Sequence, residues 1–315
     1  MTFTRFLFPL LTPSFSTLAS DSMDELILLA NSELDNLFKW YTANKLSIHP
    51  GKSRAMIFHP PSRPPPTATS LGYPYIPLYI DYNRKGDGAP PPSLENIKLI
   101  RLIPNPDESS FKLLGVLIDC QLNLKDHANH IKKKVSSSLF AIKQMKNVLD
   151  KEHLLMLANA YIKSHLEYCC SLFTCFNKST LNPIHTLLKK AVRIIDNAGP
   201  RDHTEQIFKK FEILPVPDMI NFNIAKFMHK YFYDLLPTTF NETWQKNIDI
   251  SGINTRRADD IRPVRFELRY FIKQPLFTFP DIWNSLPPGL KQIQDEHVFA
   301  RRAKTHFLSE PTIKL

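Results

Sequence analysis

Near residue 125 the apolar residues of this chain change their spacing, and that change limits the fold more than any other feature. Upstream, short β-branched and aromatic runs stand between the proline clusters "PPSRPPP" (60–66) and "PPP" (90–92), at 75–81, and after them, at 97–103 and 111–119. Such runs read as strands, and the proline clusters as surface loops or extended linkers. Downstream, Ala128, Ile131, Val135, Leu139 and Ile142 recur at the period of an amphipathic helix. A second helical run extends from about 151 to 176. A third runs from near Pro183 to Gly199, which is placed to cap it. Shorter helices are expected near 203–213, 217–236 and 296–308. Strands first and helices after imply an α+β class.

One helix precedes the strands. Ser22-x-x-Glu25 is a capping box, and Leu26, Leu29, Ala30, Leu34, Leu37, Trp40 and Tyr41 follow at helical spacing to about Asn44. Leu46 and Ile48 alternate with polar residues, Pro50-Gly51 makes a turn, and 55–59 reads as a returning strand. Residues 1–21 are expected to be an atypical, unstructured N-terminus. Their apolar run, Phe6 to Leu11, faintly resembles a signal peptide but is short and interrupted by Pro9. No stretch reaches the roughly 18 apolar residues of a membrane span. The expectation is an intracellular protein, nuclear or cytoplasmic, not secreted and without a membrane partner. No internal repeat is visible.

The formal net charge of +10 is unevenly placed. Residues 1–120 carry 11 Lys and Arg against 11 Asp and Glu, residues 121–210 carry 15 against 7, and residues 211–315 carry 14 against 12. A basic excess concentrated in the middle third suits a polyanion, nucleic acid before anionic membrane, although a solvated helix face would look the same. Lys132-Lys133-Lys134 fan across more than half of their helix, Lys143 and Lys146 extend the row, and Lys189, Lys190 and Arg193 repeat it on a later helix. The cysteines are Cys120, Cys169, Cys170 and Cys175. They are too few for an extracellular disulfide framework, and inside an apolar run they read as core thiols more readily than as zinc ligands. Tyr168 and Phe173, set among Leu166, Leu172 and Phe176, read as core. His127 and His130 read as capping or surface residues, and no zinc knuckle is present.

Four stretches, in order, resemble the downstream half of a non-LTR (LINE-type) retrotransposon reverse transcriptase. "ELDNLFKWYTANKLSIHPGKSRAMIFH" is similar to the helix and Lys-bearing turn after that family's catalytic hairpin, and "FKLLGVLIDCQLNLKDHANHIKKK" to its primer-grip strand and first thumb helix. "LLKKAVRIIDNAGPRDHTEQIFKKFEILP" resembles the helices after the thumb, and "FPDIWNSLPPGLK" a recurrent C-terminal signature. Together they span roughly 22–309.

The resemblance implies a palm remnant with Pro-rich insertions at 22–120, a helical thumb-like domain at 121–200 and a C-terminal helical region at 201–315. It implies that Lys52 lies on the nucleotide side and that Leu113, Leu114 and Gly115 form the primer grip, Gly115 admitting a close backbone approach. It also lays the lysine rows along the backbone of an RNA/DNA template–primer. The complete enzyme uses magnesium; no cofactor is expected for this chain.

In that family a carboxylate pair holds the metal at a hairpin tip. "NTRRADDIRP" (254–263) contains Ala258-Asp259-Asp260, but arginines surround it, Pro263 would spoil a second strand, and it lies far downstream of the expected place. The pair should fall near 11–18, which reads "LTPSFSTL"; the first acidic residue of the chain is Asp21. The expectation is therefore a fragment of an RNA-directed DNA polymerase, truncated upstream, inactive alone and able to bind template–primer. The alternatives are a helical protein-interaction module and a retroelement-derived reading frame that makes no stable product.

Overall fold

The computed structural model describes residues 3–8, 16–20, 22–46, 54–58, 79–81, 97–99, 101–103, 109–241, 243–252, 260–262 and 275–310. The fold is α+β and the chain divides into two units, Met1–Leu122 and Asn123–Leu315. The second unit takes in both the segment expected as thumb-like and the segment expected as C-terminal. No boundary falls at 200, because helices on either side of that residue pack on one another.

In the first unit, β1 (Phe3–Phe8) pairs antiparallel with β2 (Ser16–Ser20) and with β3 (Arg54–Phe58). β3 pairs in parallel with β6 (Arg101–Ile103), so the sheet runs β2-β1-β3-β6. The expectation of an unstructured N-terminus is corrected here, since Phe3–Phe8 and Ser16–Ser20 are paired strands of this sheet. β4 (Tyr79–Asp81) and β5 (Ile97–Leu99) form a second, two-stranded sheet.

Helix α1 (Met23–Ala43) packs on β2 and opens at Ser22, whose side chain accepts from the Glu25 backbone N–H. The return half of the expected box is absent, since the Glu25 carboxylate takes a hydrogen bond from the Ser20 hydroxyl instead. Leu26, Ile27, Ala30, Leu34 and Tyr41 are buried, whereas Leu29 and Trp40 of the expected stripe are exposed. At 100° per residue those two fall outside the arc that meets the sheet.

The run 111–119 is a hairpin rather than one strand: β7 (Ser110–Leu113) pairs antiparallel with β8 (Val116–Asp119). Leu114 (φ +46°) and Gly115 (φ +91°) are its turn. Both central residues of a type I′ turn need positive φ, which glycine adopts without strain.

The second unit is helical. α2 (Lys125–Met145) lies against α5 (Lys178–Asp196) through Ile131, Val135 and Ile142 on one side and Ile184, Leu188, Val192 and Ile195 on the other. α5 begins five residues before Pro183 and ends not at Gly199 but at Asn197, which adopts the left-handed cap (φ +60°). The expected helix 151–176 is broken into α3 (Lys151–Ala158), a π-helical turn (Asn159–Lys163), α4 (Ser164–Glu167) and a 3-10 helix (Cys170–Cys175). The break falls at Tyr168, extended and half exposed, and Cys169, left-handed at φ +52°. Tyr168 is thus not core, while Phe173 is.

Of the thiols near the break only Cys170 is buried, and burial pushes its pKa up to about 12. α6 (Glu205–Lys210), α7 (Val216–Phe232) and α11 (Glu296–Ser309) match the expected late helices. α8 (Asn247–Ser251), α9 (Pro275–Ser285) and α10 (Pro288–Lys291) go beyond the helices the sequence predicts. Among the described residues no helix is long and apolar enough to cross a membrane.

Two histidines are carried into this core neutral. His127, expected at the surface, is 2% exposed and lies edge-on to Phe173 and Phe176. His185 stacks on Phe208. Burial lowers both pKa values to about 4, aided by the neighbouring His130 and Lys189 respectively.

A lowered folded pKa means that the unfolded chain binds more protons between pH 6.5 and 4, so stability falls as pH falls through that window. Each tenfold weakening of proton binding in the folded state corresponds to about 1.4 kcal/mol once protonation is complete. Melting temperature measured by circular dichroism should drop steadily from pH 7 to 4.5, and His127→Phe should flatten the drop. A wild-type melt independent of pH over that range would contradict the buried neutral histidines.

Candidate nucleic-acid interface

Beyond α2, many lysines of the helical unit are tied to carboxylates. Asp196, at the end of α5, accepts from Lys151 at 3.2 Å and Lys210 at 2.5 Å, joining α3, α5 and α6. The Lys210 ammonium, with Lys151, holds that carboxyl below its usual range. Lys163 meets Glu167, Lys209 meets Glu205, Lys230 meets Glu296 and Lys304 meets Glu212.

The lysines of α2 differ. Lys132, Lys133, Lys134 and Lys143 are exposed and Lys146 is half-buried. Among the described residues none of these, nor Lys125, forms an ion pair with a carboxylate, and the only acid on the helix is Asp126. The apolar stripe fixes where they point. Relative to Ile131, Lys132, Lys143 and Lys146 fall on one flank within about 60° of each other, Lys133 lies nearly opposite the core, and Lys134 lies on the other flank. Lys132 and Lys143 are about 16 Å apart along the axis. A straight backbone can therefore meet one flank and the outer face, but not all three lysines of the triplet at once.

The α5 row is weaker. Lys190 is exposed and Lys189 half-buried beside His185. Arg193 is held in the structure: its Nε donates to the Asp202 carbonyl at 2.9 Å, while the Asp202 carboxylate accepts from the Gly199 N–H at 2.7 Å. Arg193 thus braces the turn after α5. Gly115 and Leu114 sit at the tip of the β7–β8 hairpin, with Leu114 exposed and Leu113 half-buried at the end of β7. The resemblance puts Gly115 within a strand; it is a turn residue, and glycine is required there by the positive φ. Lys52 lies outside the described residues.

Asp260 has an architectural partner. Its carboxylate accepts from Lys291 Nζ at 3.0 Å, and Lys291 also donates to the Asn284 carbonyl at 3.0 Å. The Asn284 side chain treats Ile261 as a neighbouring strand would, its Oδ1 accepting from Ile261 N at 2.9 Å and its Nδ2 donating to Ile261 O at 2.8 Å. Trp283 beside it is wholly buried. The "FPDIWNSLPPGLK" stretch is thus a clamp on 260–262. No local pattern in the sequence reveals it, since Asn284 and Ile261 are 23 residues apart.

Magnesium, which the resemblance implies for a complete polymerase, finds no set of ligands among the described residues. Asp260 is engaged by Lys291, Asp259 lies outside the described residues, and the segment 9–15 that joins β1 to β2 reads "PLLTPSF", without a carboxylate. Among the described residues no group of three or more His, Cys, Asp or Glu side chains could hold a metal ion.

Asn284→Ala removes two hydrogen bonds from a buried backbone residue and should cost about 1–3 kcal/mol. The urea midpoint of the purified chain should fall accordingly, and Lys291→Met should lower it too. Unchanged midpoints in both variants would show that the clamp contributes nothing to stability. No protein-family model, curated protein or solved structure matches this chain.

Proposed function

We propose that the helical unit binds nucleic acid through the phosphate backbone, as the thumb-like part of a chain resembling a non-LTR retrotransposon reverse transcriptase. The observation that carries this reading is the row of unpaired lysines on α2. Elsewhere in the unit many lysines find carboxylates; here six cations project from one helix and its end with a single acid among them. Exposed like charges repel each other and reduce stability, so such a row is best compensated by a polyanion that brings the missing negative charge.

The element order supports the same family reading. An antiparallel pair, β1–β2, comes just before α1, where the resemblance puts the metal-holding hairpin, and the β7–β8 hairpin comes just before α2, where it puts the primer grip. In the sequence, the connection between β1 and β2 lacks the acidic pair. The activity read for this chain is therefore holding template–primer, with no catalysis of nucleotide addition by its own residues. Phosphate contacts carry no base information, so binding is tolerant of sequence.

With roughly 4–6 phosphates neutralised, log K should fall against log salt with a slope of about −3 to −5. Fluorescence anisotropy on a labelled RNA/DNA duplex measures it. Neutralising Lys132, Lys133 and Lys143 together should make the slope shallower by up to about 2.7, at about 0.9 for each phosphate left without its lysine. A flat salt response of the wild-type chain would falsify the reading.

A further inference from the structure

The outer face of α2 carries an aromatic residue that the packing of the unit leaves unused. Phe140 is 65% exposed, the most exposed aromatic side chain among the described residues, and makes no ring contact there. It follows Ile131 by nine residues, which is two and a half turns, so it stands on the opposite side of the helix from the buried stripe. Its neighbours on that face are small, basic or amide-bearing, the last being Gln144 and Asn147, both exposed. Ser136 and Ser137, one turn back, are exposed and leave the ring uncovered; Lys133 lies about two turns back and Lys143 one turn ahead. The strip from Lys133 to Lys143 spans about 15 Å of helix axis. Neither lysine forms an ion pair among the described residues.

From this arrangement we infer that the outer face of α2 is a binding strip for single-stranded nucleic acid, in which Phe140 stacks on an unpaired base while Lys133 and Lys143 meet the phosphates on either side of it. The inference rests on the nucleic-acid reading above and makes it more specific. A cationic face selects a polyanion, and an uncovered aromatic ring at its centre adds something that a duplex cannot use, because paired bases stack on each other and present only their edges. Every unpaired base has a face to offer, so the strip discriminates by strandedness and hardly by sequence. A lone exposed phenylalanine is unremarkable on a protein surface; here it sits between two unpaired lysines with small side chains beside it, and both halves of the ligand are matched.

The test compares binding of the full chain to labelled oligo-dT and to a labelled duplex at one salt concentration, for wild type, Phe140→Ala and Phe140→Trp. Phe140→Ala should weaken oligo-dT binding roughly five- to hundred-fold, the range that loss of one base–aromatic stack gives. Duplex binding should be unchanged, and Phe140→Trp should restore oligo-dT affinity. The side chain is exposed, so circular dichroism should show all three proteins equally folded. If wild type binds both ligands and Phe140→Ala loses neither, the inference falls while the backbone-binding reading survives. If wild type binds neither, both fall. Loss of self-association in Phe140→Ala by sedimentation velocity, with oligo-dT binding intact, would assign the face to a second copy of the chain and overturn the inference.

Discussion

The helical unit depends on the burial of α7 along almost its whole length. Val216, Met219, Ile220, Ile224, Ala225 and Met228 are all buried, and the helix meets α4, α5, α9, α11 and the 3-10 turn at 170–175. Complete burial of each large apolar side chain contributes about 1.5–3 kcal/mol, so a helix surrounded in this way ties its neighbours into one cooperative body. Near its end sits His229, fully buried, stacked on Phe299 at 4.2 Å and donating from Nε2 to the Ile293 carbonyl at 2.8 Å. The Tyr233 hydroxyl donates to the Lys291 carbonyl at 2.7 Å. These polar contacts fix the register in which α11 docks, since a buried N–H without an acceptor costs more than the hydrogen bond contributes.

The distribution of charge follows from this frame. Lysines near the seams between helices find carboxylates, as Asp196 and Glu212 show. On the outer side of α2, Lys132, Lys133 and Lys143 are exposed and form no ion pair among the described residues. That is the physical difference between a basic row that braces the fold and one that stays exposed. It separates Arg193, spent on the turn at Asp202, from Lys132, Lys133 and Lys143, although in the sequence all four stand out on the same ground. The proposed uptake of nucleic acid by α2, and of an unpaired base at Phe140, rests on this separation.

How much is legible in the sequence varies with the range of the forces involved. The stripe Ala128, Ile131, Val135 and Ile142 is a local signal and places α2 correctly, and Ser22 marks the start of α1. The same stripe, followed round by two and a half turns, points to Phe140, so that residue lies within reach of a sequence reading that attends to the outer face as well as the core. His127 reads as a surface residue because its burial comes from Phe173 and Phe176, more than forty residues away. The arginine neighbours of Asp260 speak against a metal ligand in the sequence, yet its ion-pair partner, Lys291, comes only with the structure.

By itself the sequence determined the α+β order, the helical periods and the concentration of positive charge in the middle third, because propensity, amphipathic spacing and charge are carried by residues close together along the chain. Tertiary structure decided which cations stay unpaired, which histidines lose their water, where 151–176 breaks, and how Asn284 stands in for a strand beside Ile261. Those are outcomes of desolvation and contact between residues distant in sequence, and no local pattern encodes them.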